Sequence, residues 1–219
     1  MTIGLVFVFI LVGASIFVNG WTDAPNAIAT VVSTRVLRPR ISVVLASIMN
    51  FLGVWLMGTA VANTIGSIIR LSPGNEALVT LGAAQLSIVI WSVTAWRFGI
   101  PTSESHALIA GLTGAGIASV SIGQVSGEAW TKVLQGLLIS SVIGLMAGFA
   151  VAKAVVFLFR NTSRAKSNIF FSYAQVISAA AMAFSHGAQD GQKFMGVLAA
   201  ALIYSGFASN TISDGITIP

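Results

Sequence analysis

The 219-residue chain contains no cysteine, so a disulfide framework, a thiol nucleophile and a cysteine-based metal site are all excluded. Charge is scarce as well, at 8% of residues, and no polar stretch is long enough to fold alone. That excludes a separate water-soluble domain. The net charge of +5 is no nucleic-acid footprint, because its arginines and lysines fall in short loops. What remains is apolar. Hydrophobic residues make up 56% of the chain and the mean hydropathy is +0.91, the composition of a polytopic membrane protein.

A crossing needs about 20 apolar residues. Stretches of that kind lie at 3–33, 41–69, 77–97, 101–122, 132–159 and 169–206. The first has no basic segment before it and is too long for the core of a signal peptide, so it reads as a span. Helices are expected throughout, because open strands cannot satisfy their backbone in lipid and no alternating ten-residue pattern suggests a barrel. The loops "RVLRPR" (35–40) and "RNTSRAKSN" (160–168) are basic and belong on the cytoplasmic side. The loops at 70–77 and 123–132 balance one base against one acid each and fit the outside. Segment 101–122 has polar first turns and reads either as a span or as an arm of a re-entrant hairpin.

Against this background "NGWTDAPNAIAT" (19–30) stands out. An acid inside a membrane helix is costly and faces a cavity or partner. Pro25 also removes a backbone donor and breaks the helix where Asp23 sits. A second stretch, "HGAQDGQK" (186–193), aligns with 19–26: Gly20 with Gly187, Thr22 with Gln189, Asp23 with Asp190, Asn26 with Lys193. Five crossings separate the two, so the second copy runs upside down. Two broken helices in inverted orientation are the sequence pointer to a transporter's binding site. The plainer reading is two kinked structural helices whose acids pair with arginine or lysine.

A third element, "GIPTSESHALIAGLTGAG" (99–116), places Thr102, Ser103 and Ser105 at a helix start behind Pro101. Hydroxyls, free N–H groups and a positive dipole end form a cradle for a tetrahedral oxyanion. Ordinary helix capping is the alternative.

The two acid-bearing segments and "IPTSESHALIAG" resemble the signature segments and hairpin element of the inorganic phosphate transporter family. The resemblance runs from about residue 5 to 205. It implies an all-α polytopic bundle with inverted repeats and broken helices: a first repeat at 1–160 and the start of a second at 161–219. It also implies a multi-pass protein of the cell membrane carrying inorganic phosphate by symport with sodium or protons, with no other cofactor. Phosphate is then expected at Thr102, Ser103 and Ser105 with Asp23, Gln189 and Asp190. The coupling cation is expected at Thr22, Asp23, Asn26, Asp190 and Glu104, with sodium at Asp23, Asn26 and Asp190. Departures from the family pattern are Thr22 and Gln189 for asparagine, Pro25 for a small residue, Lys193 for asparagine and Glu104 for threonine. Glu104 is expected to turn from the anion toward a cation or Lys193. Asp23 and Asp190 are expected to meet at mid-membrane, near the start of the helix after Ser103, and there to be protonated or to recruit cations. The family's second hairpin element does not follow, which favours a truncated product over a second polypeptide that supplies the rest.

Other classes fare worse. Ser105 and His106 are adjacent on a helix, point to different faces and cannot form a nucleophile–base pair, and no Gly-x-Ser-x-Gly elbow occurs. A hydrolase is therefore not expected. A non-transporting membrane subunit and a carrier of another oxyanion such as sulfate stay open. His186 suits a proton-linked group or a structural histidine. Gly144 and Gly148 form a Gly-xxx-Gly pair for close helix packing, internal or between copies in a homo-oligomer.

Overall fold

The computed structural model describes residues 3–69 and 71–207. Helices α1 (Ile3–Thr22), α2 (Ala29–Ser33), α3 (Pro39–Leu56), α4 (Ala60–Gly66), α5 (Asn75–Phe98), α6 (Glu104–Ser119), α7 (Gly127–Phe159) and α8 (Arg164–Tyr204) follow one another along the chain. A 3-10 turn, Ala24–Ile28, separates α1 from α2. The single β feature among the described residues is an isolated bridge between Ile69 and Val125.

Among the described residues, five stretches are long and apolar enough to cross a membrane: 3–33, 39–56, 75–98, 127–159 and 164–204. The expected span 101–122 is not among them. Its helix α6 has 16 residues, a rise of about 24 Å, and it folds back on α5 through Gly99 in the left-handed conformation (φ 65°). The segment is a hairpin arm. The expected span 41–69 also divides, because Gly58 takes a positive φ of 56° and stops the helix between α3 and α4.

The second broken helix is not seen. Residues 186–193 lie inside α8, which runs unbroken for 41 residues. The reason is local. The first segment has Pro25, which cannot donate to the helical ladder, whereas the second has only Gly187 and Gly191, which weaken a helix without removing a donor. Those glycines serve packing instead. A Cβ on Gly187 would fall 2.1 Å from the Asn50 carbonyl oxygen, and one on Gly53 the same distance from that of Phe184. Here α3 and α8 meet backbone to backbone. Gly187→Ala is expected to force them apart and cost roughly 1–3 kcal/mol. Gly20→Ala, with nothing within 4 Å, should leave the melting temperature of the detergent-solubilised protein unchanged or slightly raised. Equal melting for the two variants would contradict this packing.

Helix α8 is the hub, packing on α3, α4, the 3-10 turn, α1 and α5. Ser126 N–H donates to the Ile68 carbonyl at 2.9 Å, and Gly74 N–H to that of Tyr204 at 3.0 Å. Together with the Ile69–Val125 bridge, these bonds gather the ends of α4 and α8 and the starts of α5 and α7 at one end of the bundle. At the other end Thr34 Oγ1 lies 2.7 Å from Gln175 Oε1. Two apolar cores result. One contains Leu5, Val12, Leu81, Leu112 and Phe194, the other Ala27, Val31, Ala46 and Ala183. Asn19 and Asp23 lie between the two cores on the first segment, and His186 to Lys193 lie between them on α8. The polar site is a layer between apolar plugs. Past Ala129, α7 buries none of its side chains, and Leu145 is 76% exposed, a surface suited to lipid.

Candidate functional site

The first polar segment is shaped by its break. Asp23 N–H closes the last α1 bond to the Asn19 carbonyl at 2.9 Å, and Asn26 N–H then turns back to the Asp23 carbonyl at 3.0 Å. Asn26 Nδ2 donates to Asp23 Oδ1 at 3.0 Å, which leaves Oδ2 pointing toward α8. Thr22 Oγ1 lies 3.0 Å from Glu104 Oε1, so the end of α1 touches the start of α6.

On α8, Asp190 is the centre. Its Oδ2 accepts from Asn19 Nδ2 at 2.6 Å and from the Lys193 ammonium at 2.7 Å, and lies 3.4 Å from His186 Nε2. The same His186 nitrogen is 3.8 Å from Asp23 Oδ2. The ring is held from behind. Asn50 Nδ2 donates to the Ala46 carbonyl at 2.8 Å, leaving its Oδ1 to accept from His186 Nδ1 at 2.8 Å. With the proton on Nδ1, the neutral ring turns the lone pair of Nε2 toward both carboxylates. Protonated, it would bridge them as a cation.

Ligand atoms of Asp23, His186 and Asp190 all lie within 4.8 Å of one another. Two carboxylates this close repel each other; the Lys193 ammonium offsets part of that at Asp190, and a metal ion or a proton between them would offset more. The donor set of two carboxylate oxygens and an imidazole nitrogen fits either. Asn26 adjoins this group through its contact with Asp23.

The hairpin arrives on the other side. Glu104, 2% exposed, opens α6 and directs Oε2 to within 3.8 Å of the Lys193 ammonium. Ser103 caps α6, its Oγ accepting from His106 N–H at 3.5 Å, and Thr102 Oγ1 accepts from Trp91 Nε1 at 2.7 Å. A cavity of about 330 Å³ opens here, lined by Thr22, Asp23, Asn26, Trp96, Thr102 and Glu104 among others. Ser103 and Ser105 do not line it.

Gln189 is exposed and on the outer face of α8, away from Asp190's partners. The buried amide of that segment is Gln192. It accepts from Val61 N–H at 3.0 Å and donates to the Met57 carbonyl, so it bridges the gap between α3 and α4. Sequence alignment of the two segments gave no hint of this, because the repeat pairs Gln189 with Thr22. Asn50 was missed too, although a lone amide in the apolar run "ASIMNFLG" was a visible signal.

A family model described as "Phosphate transporter family" matches residues 19–218. A protein named "Probable low-affinity inorganic phosphate transporter" from Streptomyces halstedii is 42% identical over 191 residues, which cover 86% of this chain and 89% of the relative. One of the same name from Bacillus subtilis (strain 168) is 37% identical over 188 residues, covering 85% and 56%. "Low-affinity inorganic phosphate transporter PitB" from Escherichia coli (strain K12) is 30% identical over 240 residues, covering 92% and 46%. The chain therefore spans about half the length of the last two. A solved structure titled "The sodium-dependent phosphate transporter" superposes with a TM-score of 0.80 at 20% identity, over 96% of this chain and 70% of that one. That likeness establishes the fold.

Proposed function

The chain belongs to the phosphate transporter family, a family of carriers and not of enzymes, and is a multi-pass membrane protein; on that premise we propose that it takes inorganic phosphate across the cell membrane together with sodium ions or protons. The observation that carries the reading is the convergence of Asp23, His186 and Asp190, partly buried, from two separate segments of the chain. A structural pair of acids with basic residues would account for Asp190 and Lys193 alone. It would not account for Asp23, which Asn26 and His186 hold toward the same space.

The cavity beside this trio takes phosphate, with Thr102 and the start of α6 as donors. Asp23 and Glu104 also face that cavity and repel an anion, so bound cations must come between. Cation and phosphate then raise each other's affinity, and the coupling is reciprocal. Gln189 has no part in this arrangement. Ser103 acts through the cap that fixes the first turn of α6.

Labelled phosphate is expected to accumulate in proteoliposomes only with an imposed sodium or proton gradient. Accumulation of sulfate and not phosphate would overturn the substrate assignment. Within the same assay, Ser103→Ala should lower phosphate affinity at every cation concentration, through loss of a cap contributing about 1 kcal/mol. Glu104→Gln should change mainly the cation dependence. Unaltered phosphate binding in Ser103→Ala would place the anion away from the first turn of α6.

A further inference from the structure

Lys193 is the largest fully buried side chain of the described residues, 1% exposed. It lies one helical turn after Asp190 and its ammonium sits between two elements. Asp190 Oδ2 of α8 is 2.7 Å away, Glu104 Oε2 of α6 is 3.8 Å away, and the Phe194 ring centroid is 5.1 Å away. Burying a charge costs several kcal/mol unless other charges compensate it. Two carboxylates do so here. Glu104 Oε2 accepts no hydrogen bond from the protein, so the ammonium supplies its counter-charge.

An ammonium held between two carboxylates occupies the place of a monovalent ion, but one joined to the backbone by four carbons. It cannot diffuse away. We propose that Lys193 is a tethered counter-cation: it permanently fills the position between Asp190 and Glu104, so that exchange of free cations is confined to the side of the site formed by Asp23, His186 and Asp190. This rests on reading the site as one for phosphate and a coupling cation. Three carboxylates (Asp23, Glu104, Asp190) then face one fixed ammonium, and the remaining negative charge is what recruits the exchangeable ion. Without the ammonium, Asp190 and Glu104 face each other uncompensated and the position becomes a second exchangeable one.

A purely structural pin between α6 and α8 makes a different forecast, in which loss of Lys193 lowers stability and leaves the ion dependence alone. Phosphate affinity of the purified full chain in detergent, measured along a sodium series at fixed pH and a pH series at fixed sodium, separates the two. In Lys193→Met, a tenfold dilution of sodium or of protons should cost about tenfold more phosphate affinity than it costs the wild type, one extra linked cation. In Lys193→Met/Glu104→Gln, which removes the ammonium and a carboxylate together, the wild-type dependence should return. The double variant removes the Glu104–Lys193 pair whole and leaves Asp190 with the Asn19 amide and His186, so it remains informative where the single variant does not fold. Wild-type slopes in both series for Lys193→Met, or a changed slope in the double variant, would overturn the proposal. A wild type that binds no phosphate under any of these conditions would overturn the transport reading, a separate and distinguishable result.

Discussion

Asp190→Ala is expected to abolish phosphate uptake and to destabilise the protein by about 3 kcal/mol, the lower end for breaking a buried ion pair, because Glu104 still faces Lys193. Three groups lose their partner at once. The Asn19 amide and the Lys193 ammonium are each within 2.7 Å of the same Asp190 oxygen, and His186 stands 3.4 Å from it. Asp190→Asn keeps the shape and one acceptor, so it should recover part of the stability and none of the uptake. Thermal melting in detergent together with labelled phosphate uptake checks both halves. A wild-type melting temperature in Asp190→Ala would mean that the ammonium is held by something else.

Asp23→Asn separates function from folding more cleanly. The Asp23 side chain is 32% exposed, its firm partner is the neighbouring Asn26, and no ammonium depends on it directly. Its loss should shift the melting temperature little. Uptake, by contrast, should fall roughly 5- to 150-fold at limiting cation concentration, the ordinary span of a coupling energy between two ligands. High cation concentration should recover part of the loss. Uptake that falls equally at every cation concentration would show that Asp23 serves the anion and not the coupling ion.

Much of this arrangement was legible in the residues. An acid beside a proline in an apolar run violates two rules in one place, and the structure has its break there, at Ala24–Ile28. The meeting of Asp23 with Asp190 followed from the inverted match of the two segments. The orientation of Glu104 toward Lys193 followed from charge alone. Other features were hidden for identifiable reasons. The match that located Asp190 also suggested a break at 186–193, but glycines at a close helix contact and glycines at a break look alike in sequence. Gly187 turned out to admit the backbone of Asn50. The division of 41–69 rested on one glycine, Gly58, in a run otherwise apolar enough to cross. Gln189 and Gln192 are three residues apart on a continuous helix, and only knowing that α8 is continuous tells which one faces inward.

That continuity has a mechanical consequence. Along α8, His186, Asp190 and Lys193 are fixed at constant spacing on a single rod, so one wall of the site behaves as an anvil. The opposing wall is jointed. Asp23 hangs from the 3-10 link at Ala24–Ile28, and Glu104 from the extended residues that follow Gly99. The α3–α4 joint is clamped to the rod itself by Gln192. Any change in the separation of the two walls therefore falls to the links at 23–28 and 99–103, which carry their acids, while α8 holds His186, Asp190 and Lys193 at one spacing.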